Sequence, residues 1–209
     1  SPEAPVPVLQ HEEQSLSLGG AANVARNLAD LGLDVDLIGV AGADTEAKTL
    51  LNLTTEHGIT LYPVVDSGRP TTTKMRVVAG QQQIVRVDRE SNAPLHQAIK
   101  NELFNTVLKK LKDKTYQAIV LSDYNKGVFD AKVCPRLIEA AKRHGLPVFV
   151  DPKHQNFSIY QGATLVTPNR AELEKALGKQ LHSLEAILLE TESLRQQLNV
   201  QGFVVTLGA

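Results

Sequence analysis

The chain has 209 residues, 42% hydrophobic and 22% charged, enough to bury a core and unlike a disordered segment. Aromatics are only 4%, Trp is absent, and 22 Lys and Arg balance 23 Asp and Glu. A stacking surface for single-stranded nucleic acid is therefore poorly supplied, and there is no general electrostatic pull toward nucleic acid or anionic membrane.

The single cysteine, Cys134, excludes an internal disulfide framework and a Cys-rich zinc site. It precedes Pro135 in a helical pattern and reads as an inert core thiol in a reducing, cytoplasmic setting. No apolar run approaches the ~20 residues a membrane helix needs.

In chain order, "SPEAPVPVLQ" reads as extended structure because its prolines disfavour helix. "LSLGGAANVARNLADLG" then opens a helix on Gly19 and Gly20. The two glycines expose the first backbone N–H groups and let a ligand approach the main chain. Helix side chains tilt toward the N-terminus, so Asn23 projects into the same space, while Ala22, Ala25 and Ala29 allow close packing on a sheet. Two readings stay open here: a polyol or phosphate site, or a glycine turn with a capping amide and tight packing. Neither G-x-x-x-x-G-K-[ST] nor G-x-G-x-x-G occurs, so the common phosphate-loop and dinucleotide explanations lack their motifs.

The valine-rich apolar runs Val35 to Gly42, Ala118 to Asp123, Pro147 to Asp151, Ala163 to Pro168 and Phe203 to Gly208 read as strands buried on both faces. Between them lie helical patterns at 94–113, where Leu95, Ile99, Leu103, Val107 and Leu111 recur four apart, and at 130–144, 169–177 and 183–198. Strand–helix alternation predicts right-handed crossovers and a doubly wound, mainly parallel α/β sheet.

Residues 59–90 break that rhythm. Ile59 to Val65, Thr71 to Ala79 and Gln81 to Glu90 alternate with no helix between them, and "AGQQ" is a turn signal. With residues 1–17 they form, in this reading, a small β flap set apart from an α/β body of 18–58 and 91–209. "KKLKDK" at Lys109 to Lys114 reads as a solvated helix end that complements the dipole, with a basic patch as the lesser reading. No His pair has ligand spacing; His11, His57, His96, His144, His154 and His182 read as surface or packing residues.

Longer spacing selects between the readings of the glycine turn. Gly20, Ala21, Asn23, Ala25, Gly32 and Gly42, continued by Asp44, resemble the first signature of the ribokinase-like (PfkB) carbohydrate kinases. "TPNRAELE", with Asn169 and Glu172, looks like that family's N-x-x-E element, and "VVTLGA" like its nucleotide-side strand and turn. "SPEAPVPV", "GGAANVA", "TTTKMRV", "LSDYNKG" and "DPK" narrow the resemblance to the kinase domain of bacterial heptose-7-phosphate kinases, often fused to an adenylyltransferase. The resemblance implies ATP-dependent phosphorylation of D-glycero-β-D-manno-heptose 7-phosphate at O1, feeding the inner core of lipopolysaccharide. Another ribokinase-like sugar kinase and a non-catalytic sugar-phosphate or nucleotide-binding module are the alternatives.

Under that resemblance Gly19, Gly20, Asn23, Asp44 and Asp123 face the sugar hydroxyls. Lys74, Arg76 and Arg86 on the flap face its phosphate, unless the flap charges are only surface cations, and Lys126 is implied as a further substrate contact. Asp123, Tyr124, Lys126 and Lys153 fall at the carboxyl ends of strands, where open α/β sheets bind ligands. Lys153, Asn169, Glu172, Thr206 and Gly208 are implied on the ATP side, with Glu172 near water-coordinated Mg²⁺ and Asp151 structural or ordering its waters. Asn169 and Glu172 equally suit a helix capping box.

The family's G-A-G-D base and anion hole do not occur in the sequence up to Ala209, nor does its first strand with the G-D and substrate aspartate. No catalytic residue is therefore assigned within the chain, and the base is expected beyond Ala209. The expectation is a fragment with both ends missing and no normal turnover. A homodimer through the flap is expected because free strands leave sheet edges exposed.

Overall fold

The computed structural model describes residues 13–208. The part of the flap expectation that falls on residues 1–12 lies outside them, and 13–17 form no strand. Ala209 also lies outside the described residues, and with it the expectation of a catalytic base beyond that position.

Helix α1 (Gly20–Asp30) starts without a side-chain cap: the carbonyl of Gly19 accepts the amides of Ala22 and Asn23. Gly20 has a φ of +55°, a conformation that glycine adopts freely and side-chain-bearing residues rarely do. Its small face, Ala22 and Ala25, is buried with Leu18 and Ile59. β1 (Asp36–Ala41) follows, then α2 (Thr45–Glu56) and β2 (Thr60–Val65).

β2 corrects the expectation for residues 59–65. It does not join a flap; it pairs in parallel with β1, Leu37 opposite Leu61 and Val40 opposite Val64. The cause is α2, a crossover helix that the sequence reading passed over. Its threonines are poor helix formers, and the helix is carried by its ends and its packing. Asp44 Oδ1 accepts the Ala47 amide, and buried Thr54 returns its hydroxyl to the carbonyls of Leu50 and Leu51. A helix between two strands brings the second back parallel to the first.

β3 (Thr73–Ala79) and β4 (Gln82–Arg89) form the expected antiparallel hairpin as a separate two-stranded sheet. Its register sorts the side chains by chemistry. Lys74 lies opposite Asp88 and Arg76 opposite Arg86 on one face; Met75 lies opposite Val87 and Val77 opposite Val85 on the other.

The second half of the body is a four-stranded parallel sheet, order β5-β6-β7-β8, of β5 (Ile119–Ser122), β6 (Val148–Asp151), β7 (Leu165–Val166) and β8 (Gly202–Phe203). Helices α3 (Gln97–Asp113), α4 (Val133–Arg143), α5 (Arg170–Leu177) and α6 (Leu184–Leu198) connect and cover it. The main core gathers Leu103 from α3, Leu137 and Ile138 from α4, Val148 and Val150 from β6, and Leu173 from α5. Cys134 is fully buried there, and burial pushes its thiol up to about 12.

Lys110 and Lys114 do more than end a helix in solvent. Lys110 lies 3.5 Å over the Tyr62 ring, and Lys114 pairs with Asp34 and Asp36, pinning α3 to the first sheet. α1 packs on both β1 and β5, so the two parallel sheets share a layer. Their facing edges are separated by a largely apolar cavity of about 2050 Å³, lined among others by Leu37, Val40, Leu103, Val107 and Val120. Among the described residues no strand pairs with either facing edge.

Candidate functional site

The strands of each parallel sheet end on the same side, and the polar residues gather there. A cavity of about 440 Å³ is lined by Asn92, Tyr124, Asn125, Lys126, Lys153, His154, Gln155, Asn169, Ala171, Glu172 and Lys175. Lys126 comes from the loop after β5, Lys153 from the loop after β6, and Asn169 and Glu172 from the start of α5. These four expected residues meet in one hollow.

The α5 wall is a capping box. Asn169 Oδ1 accepts the Glu172 amide, and Glu172 Oε2 accepts the Asn169 amide, both at 2.9 Å. The other carboxylate oxygen, Oε1, accepts from Lys153 Nζ at 2.8 Å. The helix cap and the ion pair with Lys153 are therefore carried by the same side chain. Hydrogen bonding from Glu172 raises Lys153 above the ordinary lysine range. Asp151, at the end of β6, is pushed up by burial first and by the nearby Glu172 charge second. The last described residues lie alongside: Thr206 bridges Asn169 in parallel, its amide donating to Pro168 and its carbonyl accepting from Arg170. Thr206 and Gly208 are both exposed.

On the opposite wall Lys126 is tied to the hairpin. Glu90 Oε1 accepts from Lys126 Nζ at 2.5 Å and its Oε2 accepts from Lys74 Nζ at 3.0 Å; Asn92 Oδ1 also accepts from Lys126. Lys126 and then Lys74 hold the Glu90 carboxyl below its usual range. Lys74 and Arg86 share Asp88, at 2.9 and 3.0 Å. The charged face of the hairpin is thus joined to the pocket by a carboxylate that the sequence reading missed. Arg76 and Arg86 stand directly opposite one another, and Asp88 offsets the Arg86 charge beside them.

α1 enters through its glycine turn. A Cβ on Gly20 would meet the Tyr124 ring at 3.8 Å, so the turn and the loop after β5 are neighbours. Gly19 is exposed and Asn23 half-buried on that first turn.

Two aspartates expected at sugar hydroxyls are engaged internally. Asp44 Oδ1 accepts the Ala47 amide and the Thr71 hydroxyl, and Oδ2 accepts the Thr71 amide. Asp44 clasps α2 to the segment entering β3, and its hydrogen bond from Thr71 leads the causes that lower its carboxyl. Gly42 serves the same clasp: its amide donates to Thr71 Oγ1, and a Cβ there would lie 2.6 Å from the Arg69 carbonyl. Asp123, 4% exposed, accepts the Asn125 amide and the Tyr160 hydroxyl.

Arg69 binds the same loop from the other side, pairing with Asp66 and donating to the carbonyls of Lys126 and Ala93. Glu90, Asn92, Arg69 and Tyr160 were missed because nothing in local spacing marks a residue whose partner lies dozens of positions away. His154 lines the pocket, but its Nδ1 accepts the Asn156 amide and shapes its own loop. Among the described residues no group of three or more His, Cys, Asp or Glu could hold a metal ion.

The family described as pfkB family carbohydrate kinase matches residues 2–209. The chain is 42% identical over 208 residues to the bifunctional protein HldE of Helicobacter acinonychis, covering 99% of this chain and 44% of that protein. It is 43% identical over 206 residues to the D-beta-D-heptose 7-phosphate kinase of Bordetella bronchiseptica, covering 99% of this chain and 64% of that protein. The chain therefore spans less than two thirds of either relative. Among solved structures, the tetrameric inhibited form of phosphofructokinase-2 from Escherichia coli superposes with a TM-score of 0.75 at 23% identity, over 96% of this chain and 68% of that one. That likeness establishes the fold.

Proposed function

Because the chain belongs to the pfkB family of carbohydrate kinases, we propose that it is the sugar- and nucleotide-binding body of an ATP-dependent kinase for D-glycero-β-D-manno-heptose 7-phosphate. The sugar O1 forms the new bond to the γ-phosphorus, the bond from that phosphorus to the β–γ bridging oxygen breaks, ADP leaves, and the O1 proton passes to a base. The observation that carries the reading is the meeting of Lys126 with Lys153, beside the α5 N-terminus, in one hollow, Lys74 being joined to Lys126 through Glu90. Lys74, Arg76 and Arg86 line the larger cavity, together with Gly19 and Gly20, and that cavity also reaches Lys126.

A phosphorylated sugar needs cations at the end remote from the reacting hydroxyl, and the hairpin face supplies them. Gly19, Gly20 and Asn23 read the sugar hydroxyls from the α1 turn. Asp44 and Asp123 act behind them by holding loops. Lys153, Asn169, Thr206 and Gly208 take the nucleotide phosphates, helped by the α5 dipole.

The residues present suit Mg²⁺ in a limited way. Asp151 and Glu172 are hard carboxylates close enough for the charge of one to raise the other, a strain a divalent cation would relieve. Both Glu172 oxygens are already bonded, so contact runs through water, as is usual for Mg²⁺. When bound, the ion would neutralise phosphate charge.

The reaction belongs in the cytoplasm, where ATP is available; among the described residues no helix is long and apolar enough to cross a membrane.

Thermal shift tests the binding claim on the 209-residue chain. ATP–Mg²⁺ and heptose 7-phosphate, each at ~100 times its Kd, should raise the midpoint by several degrees while NAD leaves it unchanged. Stabilisation by NAD with none by ATP would overturn the reading.

A further inference from the structure

Tyr160 does not line the cavity, yet its hydroxyl holds two of the cavity's walls. It ends the short 3-10 turn Phe157–Tyr160 between β6 and β7 and is fully buried. The hydroxyl donates to Asp123 Oδ2 at 2.5 Å and accepts the backbone N–H of His154 at 3.3 Å. Asp123 Oδ1 in turn accepts the amide of Asn125 at 2.7 Å. Asn125 has a φ of +53°, a left-handed conformation that needs local hydrogen bonding to persist. The next residue is Lys126, and the residue before His154 is Lys153. One phenol thereby ties the loop that presents the sugar-side lysine to the loop that presents the nucleotide-side lysine.

A purely space-filling role does not call for this chemistry. The ring packs edge-on against Phe157, with centroids 5.7 Å apart, and phenylalanine would fill the same volume. The hydroxyl adds a burden instead, because it must be matched to a carboxylate only 4% exposed. Burial, and then the bond to Asp123, push the phenol upward, so it remains a donor throughout the working pH range.

We propose that Tyr160 is a positioning residue for phosphoryl transfer: through Asp123 and the His154 amide it fixes Lys126 and Lys153 at the separation the two bound substrates require. This rests on the sugar-kinase reading above.

The test uses the full-length gene product carrying Tyr160→Phe, with Asp123→Asn and the double variant beside it. Ile187→Val, a buried change on α6, controls for lost stability. Tyr160→Phe should keep the far-UV spectrum and raise KM for both ATP and the sugar phosphate about tenfold, the effect of losing one hydrogen bond to a charged group. Ile187→Val should lower the melting midpoint without moving either KM. For the sugar-phosphate KM, which Tyr160 reaches through Asp123, the double variant should be little worse than Asp123→Asn alone. A Tyr160→Phe protein that melts earlier with both KM values unchanged overturns the proposal, as does full additivity of the double variant in the sugar-phosphate KM.

Should the unmodified protein phosphorylate no heptose phosphate, the functional reading fails. Calorimetric titration with ATP–Mg²⁺ then still decides Tyr160: affinity about tenfold weaker in Tyr160→Phe supports the positioning role, and equal affinity overturns it.

Discussion

Asp151 shows most directly how a single residue couples stability to the site. Burial, and then the charge of Glu172, hold its carboxyl above the usual value of 3.8. A raised carboxyl binds its proton more tightly in the folded chain than in the unfolded one. Its contribution to stability is therefore fully present below 3.8 and lost as pH rises through the higher folded value. At neutral pH the ligand-free fold carries Asp151 as a charge at some cost, the pattern of a residue kept for binding. Asp151→Asn should raise the melting midpoint of the ligand-free chain at pH 7, have little effect at pH below 3.8, and reduce stabilisation by ATP–Mg²⁺. Calorimetry at the two pH values reads this; a midpoint that falls at pH 7 contradicts it. The exposed pairs nearby, Lys153 with Glu172 and Lys74 with Asp88, add little to stability on their own. Their weight lies in where they hold the cations.

The β3–β4 hairpin carries the clearest consequence at the scale of an element. A two-stranded ribbon is marginal in water by itself, and here Met75, Val85 and Val87 on its apolar face are each about half exposed (56%, 45% and 48%). Lys74 on the charged face is engaged by Asp88 and Glu90, and the apolar face suits a second copy of the same hairpin. The full-length gene product is expected to sediment as a dimer and Val87→Glu as a monomer; a dimer that survives Val87→Glu would contradict this. Much of the element plan was legible beforehand. Runs such as "AIVLSD" and "PVFVD" read as strands; β6 buries Val148 and Val150, whereas Val120 of β5 is 41% exposed, short of the expected burial on both faces, and the four-residue recurrence along α3 places Leu103 and Leu111 inward as expected. The sense of β2 was not legible, because it depends on α2, whose threonine-rich sequence is a weak helix signal until Asp44 caps it. Partner choice was not legible either. Lys126 and Asp123 stand out in "SDYNKG", but Glu90 lies 36 positions from Lys126 and Tyr160 lies 37 from Asp123, separations that only the fold closes.

On the scale of the molecule, the loops after β5 and β6 and the start of α5 meet in one hollow, and the hairpin is tied to it through Glu90 and Lys126. Ligands of open α/β sheets bind there because strand ends and helix N-termini converge without burying unpaired backbone. The chain belongs to the pfkB family of carbohydrate kinases, and Lys74, joined to Lys126 through Glu90, supports the proposal of a substrate already phosphorylated at its far end. The most direct measurement is turnover by the full-length gene product with ATP, Mg²⁺ and D-glycero-β-D-manno-heptose 7-phosphate, followed by phosphorus NMR and ADP release. The account predicts a new phosphate on O1, one ADP per product, and at least ~100-fold lower kcat/KM with the unphosphorylated heptose, since the charge-assisted hydrogen bonds to the phosphate are lost. Equal turnover of phosphorylated and unphosphorylated sugar, or phosphorylation of fructose 6-phosphate in its place, would contradict it.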